Sequence, residues 1–259
     1  MAGREEAVER VGRLAQAYWQ SHTEDFLKHG PNWKGDHWAG VLGRPELEAF
    51  VWNPEWVEGI TRGLILRQWE SANDEVDALE AFFLTMAWGF GLHFRGRRNT
   101  AAMFESMRDK NFGAYLLEVK GIAAKSSEDA FRSLLSKRIK QLGPVYASKL
   151  LYAMSPADNR SPVLDMWIER WGQPLFGLDF RVHSSLSVED NVASLARFKS
   201  FCESALGAVG NSAPASRPSS EGDIGFIEYL IFWDAKYTLR KRWQGVSGFP
   251  AWVQDDLLA

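Results

Sequence analysis

Cysteine is almost missing from this chain, which contains Cys202 and no other. One cysteine cannot form an internal disulfide, and it cannot supply a cysteine-rich zinc site or a four-cysteine iron–sulfur cluster. His22, His29 and His37 fall in one loop-like stretch, but their spacings match no standard metal-binding pattern. We therefore expect neither a metal ion nor any other cofactor.

Long apolar runs and a strong excess of one charge are also missing. No apolar run of about 18 residues occurs, as a membrane helix would need, and Met1–Glu6 contain no apolar signal stretch. We expect a cytoplasmic protein without a membrane partner. The formal net charge is −3, so binding to a polyanion would depend on positive charge gathered locally.

Helical periodicity is what the sequence has in abundance. The 259 residues are 46% hydrophobic and include 12 tryptophans, which is enough for a substantial core. Apolar residues recur every three or four positions and no convincing strand alternation occurs, so the predicted fold class is all-α. The predicted helices span about 5–19, 54–69, 74–88, 99–109, 111–120, 127–141, 144–154, 162–171, 187–210 and 223–243. We expect one helical unit over residues 1–259, with a flexible linker at 211–221 before the last helix.

The most informative stretch, residues 139–154, predicts two helices joined by a tight turn. Gly143 and Pro144 break the first helix, and Pro144 suits the first turn of the second. Ala147 and Ala153 would let the second helix pack closely against a neighbour. By itself, however, Gly-Pro could also be an ordinary helix–helix turn.

A second motif follows, because Asp165 lies 22 positions after Gly143, within residues 162–170. Pro162 is expected to begin a helix, which would place Asp165 in its first turn. A carboxylate at that place favours the helix dipole, and from position alone this is the ordinary explanation of Asp165.

Together these two motifs resemble those of the helix-hairpin-helix DNA glycosylases. Members of that superfamily carry a hairpin of the form L-P-G-[VI]-G-x-x-x-A, followed by V-D-x-x-V-x-R. Leu142–Ala147 resembles the hairpin, and Asp165–Arg170 resembles the aspartate motif, with Ile168 and Arg170 in register. The similarity is strongest to bacterial proteins that are similar to 8-oxoguanine glycosylases, and it is clear over about 128–171. It implies a two-lobed helical fold and a monomer that acts on double-stranded DNA containing a modified base.

The resemblance assigns roles to particular residues. Asp165 would be the catalytic carboxylate, since cleavage of a glycosidic bond passes through a positively charged sugar that a nearby carboxylate stabilises. The DNA backbone would be bound by Leu142, Gly143, Val145, Lys140 and Lys149. The base must leave the stack and enter a pocket, which we expect to be lined by Trp88, Phe90, Trp167 and Trp233. Residues 89–100 hold three glycines and three arginines, which predicts a basic loop whose Arg95, Arg97 and Arg98 contact DNA or fill the gap left by the flipped base.

Departures from the family pattern indicate which of the family's reactions to expect. The hairpin has one glycine instead of two, and Leu164 is an extra residue before the aspartate. Val145 stands where bifunctional members carry a Schiff-base lysine, so we expect base removal without strand cleavage. The alternative is that Lys149, one turn further on, or Lys140 acts as a lyase nucleophile.

Two substrates and one non-enzymatic role remain open. The base could be an oxidised purine such as 8-oxoguanine, removed in DNA repair. It could instead be a hypermodified cytosine of phage DNA, such as glucosylated hydroxymethylcytosine, removed in antiviral defence. The alternative to an enzyme is a non-catalytic all-α DNA-binding protein that uses the hairpin only to grip the backbone.

Overall fold

The computed structural model describes residues 2–21, 25–40, 43, 45–56, 59–108, 110–211, 213–214 and 219–240. These residues form α-helices joined by turns and short 3₁₀ helices, and no strand occurs among them, which confirms the predicted all-α class. The α-helices are α1 (Ala2–Gln20), α2 (Gly35–Trp38), α3 (Pro45–Val51), α4 (Arg62–Ser71), α5 (Glu75–Phe90), α6 (Phe94–Ser106), α7 (Phe112–Ala123), α8 (Ser127–Ser136), α9 (Pro144–Met154), α10 (Met166–Phe176), α11 (Val188–Gly210) and α12 (Ile224–Arg240).

One compact unit consists of Leu27–Asn159 and contains α2 to α9. Helix α5 packs against α4, α7 and α9, and its residues are buried on nearly every side, as expected for a helix surrounded by others. It begins where the sequence predicts a helix, because Asp74 Oδ1 accepts hydrogen bonds from the amides of Val76 and Asp77, both at 2.9 Å. Helix α4 is tied to it by a hydrogen bond of 2.9 Å from Trp69 Nε1 to Thr85 Oγ1.

The second compact unit consists of the described residues up to Phe26 and from Arg160 onward. It contains α1, α10, α11 and α12, and α1 packs against the other three. The predicted helix over 187–210 is confirmed, since Ser187 Oγ accepts a hydrogen bond from the amide of Asp190 at 3.0 Å and so begins α11. That the two units act as one, as expected from the sequence, stays a prediction.

The loop predicted over 89–100 is wrong. Helix α5 continues to Phe90, and Gly91, with φ of 57°, ends it. Helix α6 begins soon after, because His93 Nδ1 accepts a hydrogen bond from the amide of Arg95 at 3.2 Å. A Cβ atom at Gly96 would lie 2.5 Å from Cβ of Phe90, so this glycine lets the start of α6 pack closely. Two of the three glycines thus serve a turn and a close contact, and all three arginines lie on a helix.

Other boundaries also differ from the sequence prediction, and the helix predicted over 127–141 ends already at Ser136. The helix predicted over 54–69 is wrong, because Gly59 adopts φ of 110° and Thr61 begins α4 by accepting a hydrogen bond from the amide of Leu64. The linker predicted over 211–221 is wrong at its end, where Ser219–Gly222 form a 3₁₀ helix. Glu221 is buried there and accepts a hydrogen bond of 2.6 Å from Trp19 Nε1. Residues 212, 215–218 and 241–243 lie outside the described residues.

Candidate active site

Asp165 caps α10 instead of lying inside it. Its φ of −131° and ψ of 178° are extended, and its Oδ1 accepts hydrogen bonds from the amides of Trp167 at 2.8 Å and Ile168 at 3.3 Å. The prediction that Pro162 begins the helix is therefore wrong, because residues 161–165 are non-helical and buried and the aspartate side chain begins the helix. The capping role considered from position alone is therefore present, and the predicted catalytic role would use the other oxygen of the same side chain.

The second carboxylate oxygen of Asp165 is available for that role. Asp165 is only 6% exposed, and within the described part of the chain Oδ2 accepts no hydrogen bond. Helix capping fixes the plane of the carboxylate, and burial lowers the screening of its charge. The next residue, Met166, is 46% exposed, whereas Asp165 itself is buried. Such a group can hold a fixed negative charge against a cation that forms next to it.

A buried ionic network anchors the helix that Asp165 caps. Trp171 of α10 donates from Nε1 to Asp234 Oδ2 at 2.8 Å, and Arg10 of α1 donates to both oxygens of Asp234, at 3.1 and 2.7 Å. Sequence analysis missed this network. Its signal is that Asp234 follows Ile227 and Ile231 at helical spacing, on the apolar face of α12, where a carboxylate requires a buried partner.

The predicted helical hairpin is present in the other unit as α8, a turn and α9. The left-handed residues of the turn are Arg138, with φ of 53°, and Gln141, with φ of 69°. Gly143 has φ of −78° and stands at the N-cap of α9, followed by Pro144 at the first helical position. Neither its φ nor its packing requires a glycine, because no atom lies within 4 Å of a Cβ built there. The missing side chain leaves room for another molecule to approach the backbone.

The hairpin turn also offers hydrogen-bond donors and positive charge. The amides of Gly143 and Val145 donate to no acceptor within the described ranges. Around them, Lys137, Arg138 and Lys140 are exposed and form no ion pair with a described residue. Amides at a helix start, with lysine and arginine nearby, form a surface suited to an anion such as phosphate.

Lys149 lies apart from these basic residues, on the side of α9 that faces α5. Its Nζ donates to the carbonyl of Gly89 at 3.4 Å and lies 5.2 Å from the ring centre of Trp88. Beside it, Phe90 stacks on Tyr146 with ring centres 3.9 Å apart. The binding of DNA backbone by Lys149 stays a prediction.

Trp88 lies among cationic and aromatic side chains that sequence analysis did not single out. Arg62 is buried, and its Cζ is 5.1 Å from the ring centre of Trp88 and 5.3 Å from that of Tyr152. Tyr152 stacks near Trp88 at 6.2 Å. The four aromatic residues predicted for the base pocket divide between the units, Trp88 and Phe90 in one and Trp167 and Trp233 in the other. Their shared role in a pocket stays a prediction.

The three arginines of α6 differ in their surroundings. Arg97 Nη2 donates to the carbonyl of Ala39 at 3.3 Å and is half-buried, whereas Arg95 and Arg98 are exposed. Only the latter two present their charge freely to solvent.

The described residues contain neither a candidate membrane span nor a candidate metal site. None of their helices combines the length and apolarity that a membrane span requires. Their histidine, cysteine, aspartate and glutamate side chains form no group of three or more that could hold a metal ion. The expectation of a metal-free protein stays a prediction.

The helical hairpin, followed along the chain by an aspartate in the register D-x-x-I-x-R, fits the helix-hairpin-helix DNA glycosylase class. Residues 24–218 match the family described as "Putative 8-oxoguanine DNA glycosylase OGG-like protein", and the chain belongs to this family. No curated protein and no solved structure matches it. The match confirms the resemblance found in the sequence and supports DNA glycosylase activity in general terms.

Proposed function

We propose that this protein is a monofunctional DNA N-glycosylase, which removes a modified base from double-stranded DNA and leaves an abasic site. The observation that carries the proposal is the state of Asp165: a buried carboxylate with Oδ1 held by two helix amides and Oδ2 accepting no hydrogen bond from a described residue. A residue needed only as a cap could be exposed, as Asp74 is at the start of α5.

In the proposed reaction, the modified nucleotide first leaves the base stack. The bond between the sugar C1′ and the base nitrogen then breaks, its electron pair leaves with the base, and positive charge develops on the sugar. Asp165 stabilises that charge with its own negative charge. Water attacks C1′ and gives one proton to Asp165, which passes a proton on to solvent, and the departing base takes up one proton from solvent, so that the carboxylate is restored. No group beyond the carboxylate and water is needed.

The hairpin would hold the DNA while this happens. Its available amides at Gly143 and Val145 suit a phosphate oxygen, and the room above Gly143 permits close approach. Lys140 and its exposed basic neighbours add attraction that the net charge of −3 does not supply. Such contacts position the DNA without reading its sequence.

We propose that strand cleavage does not follow base removal. Val145 occupies the position of the family's Schiff-base lysine and has no amine. The Nζ of Lys149 donates to Gly89 O and packs against Trp88, so this amine is held away from the hairpin turn. We therefore propose hydrolysis by way of Asp165 as the route, with the exposed Lys140 as the remaining lyase alternative.

For the base, we place an oxidised purine such as 8-oxoguanine first, because it agrees with the description of the family. A glucosylated hydroxymethylcytosine of phage DNA comes second. This choice is between DNA repair and antiviral defence, and both use the same aspartate.

A base-release experiment tests the proposal. Duplexes that each contain one modified base, including both candidates, are incubated with the protein, and released bases are identified by mass spectrometry. We expect release of a free modified base, with a strand that breaks only after alkali is added. Binding of duplex DNA with no release from any modified duplex or phage DNA would contradict the proposal and support the non-catalytic alternative.

A further inference from the structure

An exposed aromatic side chain stands at the beginning of α6. Phe94 is 67% exposed and is the most exposed large hydrophobic side chain among the described residues, and Leu92, two positions before it, is 39% exposed. Most phenylalanines of the chain lie in the core, as expected for this residue. Phe94 therefore contributes little to packing within its own unit, and a partner that covers it would remove a large apolar area from water.

The surroundings of Phe94 are positively charged. Arg95 Cζ lies 5.7 Å from the phenyl ring centre, and the ring of His93 stacks on it at 4.9 Å. Arg98 is exposed one turn further along the helix. No aspartate or glutamate occurs between residues 91 and 104, and neither exposed arginine forms an ion pair with a described residue. Residues 92–98, called the tip of α6 below, therefore carry a charge that is complementary to a polyanion.

The tip is also held in place. His93 Nδ1 caps the first turn, Gly96 sits directly against Phe90, and Thr100, Met103 and Phe104 bury the inner face of α6. The phenyl ring is therefore presented by a fixed helix, so little ordering is required when it inserts into a partner.

We propose that Phe94 is a wedge that enters the base stack of duplex DNA where the target nucleotide has been extruded. Arg95 and Arg98 would contact the phosphates on either side. Apolar side chains that enter a stack in this way recover unstacking energy through their own contacts with bases. Of the two roles expected for the arginines, DNA contact or gap filling, this proposal gives Arg95 and Arg98 the first, and Arg97 remains bound to the carbonyl of Ala39. This inference depends on the proposed DNA glycosylase function.

The test uses a duplex with a tetrahydrofuran abasic analogue and a 2-aminopurine beside it, so that it depends on neither base identity nor catalysis. The variants are Phe94→Ala, Phe94→Leu as a conservative replacement, and Val76→Ala, which trims another exposed side chain of the same unit. Wild type and Val76→Ala should raise the 2-aminopurine fluorescence and prefer this duplex to undamaged DNA. Phe94→Ala should show little of the fluorescence change, and its preference for the abasic duplex over undamaged DNA should be at least about tenfold smaller than that of wild type. Phe94→Leu should give intermediate values for both. Circular dichroism checks that each variant is folded.

The results separate this inference from the function on which it rests. If wild type shows neither abasic preference nor base release, the proposed function itself fails. If wild type shows both and Phe94→Ala keeps the full fluorescence change, the wedge alone is refuted. Sedimentation in which the wild type self-associates and Phe94→Ala is monomeric would also overturn it, because the ring would then be covered by a second copy of the chain.

Discussion

Replacement of Asp234 by asparagine should destabilise the unit that carries Asp165. The carboxylate accepts two hydrogen bonds from Arg10, one from Trp171 and a longer one of 3.3 Å from Thr238 of its own helix, and thereby connects α1 and α10 to α12. The side chains of Arg10 and Asp234 are only 12% and 2% exposed, so water does little to screen the pair. Asparagine has nearly the same shape as aspartate but no charge. Its amide nitrogen is a hydrogen-bond donor and would face an N–H donor of Arg10 or Trp171.

The magnitude follows from what remains after the substitution. Arg10 keeps its charge in a largely buried place, and a donor of Arg10 or Trp171 loses its acceptor. Loss of one partner from a buried pair costs about 3–5 kcal/mol, against about 1 kcal/mol or less for an exposed pair. We therefore expect Asp234→Asn to lower the free energy of unfolding by about 3 kcal/mol or more.

Urea unfolding of the whole chain, followed by far-ultraviolet circular dichroism, measures this loss. The matched control is Glu105→Gln at the end of α6, which breaks the ion pair between Glu105 and Arg108. Both of these side chains are 62% exposed. It should change the free energy of unfolding by less than about 1 kcal/mol. Equal effects of the two substitutions would refute the reasoning that burial makes the Asp234 network strong.

Three further predictions concern the hairpin, the half-buried carboxyl of Glu80 and the reaction type. Gly143→Ala should change the free energy of unfolding by less than about 1 kcal/mol, because a methyl group at this position meets no neighbour. The same substitution should weaken duplex binding, measured by fluorescence anisotropy. Unchanged affinity would count against a phosphate contact at Gly143. Burial, and then Asp77 and Asp74, raise the pKa of Glu80 to about 6, so its ionisation lowers stability as the pH rises through that range. Glu80→Gln should therefore raise the free energy of unfolding by up to about 1 kcal/mol at pH 7.5, after allowance for solvent screening, and by almost nothing at pH 4. An equal gain in the free energy of unfolding at both pH values would exclude ionisation of Glu80 as the cause. Borohydride reduction during turnover should trap no covalent protein–DNA adduct, whereas an adduct lost in Lys149→Ala would show lyase chemistry.

The sequence predicted elements with local causes well. The predicted starts of the helices over 74–88, 127–141 and 187–210 agree with the caps at Asp74, Ser126 and Ser187, because a cap depends on residues within one turn. The all-α class followed from the apolar period, which is repeated over most of the chain. The register D-x-x-I-x-R, read with the hairpin, was enough to indicate the family.

Features that depend on distant residues were not predicted. The glycines of 89–100 suggested a loop, but Gly96 is there because Phe90 lies against it, which only the packed structure shows. Asp234 required Arg10 from the other end of the chain. In the hairpin, the left-handed conformations fell on Arg138 and Gln141 instead of on the glycine, since the anchoring of Ile139 and Leu142 in the core determines the path of the turn.

The role of Asp165 is tested most directly by single-turnover base release with Asp165→Asn. Asparagine is also a good helix cap, so the fold should persist, and Glu169→Gln on the same helix is the matched loss of a carboxylate. We expect Asp165→Asn to slow release by at least about a hundredfold while duplex binding is largely kept and Glu169→Gln stays near wild type. Release by Asp165→Asn at the wild-type rate would contradict the account.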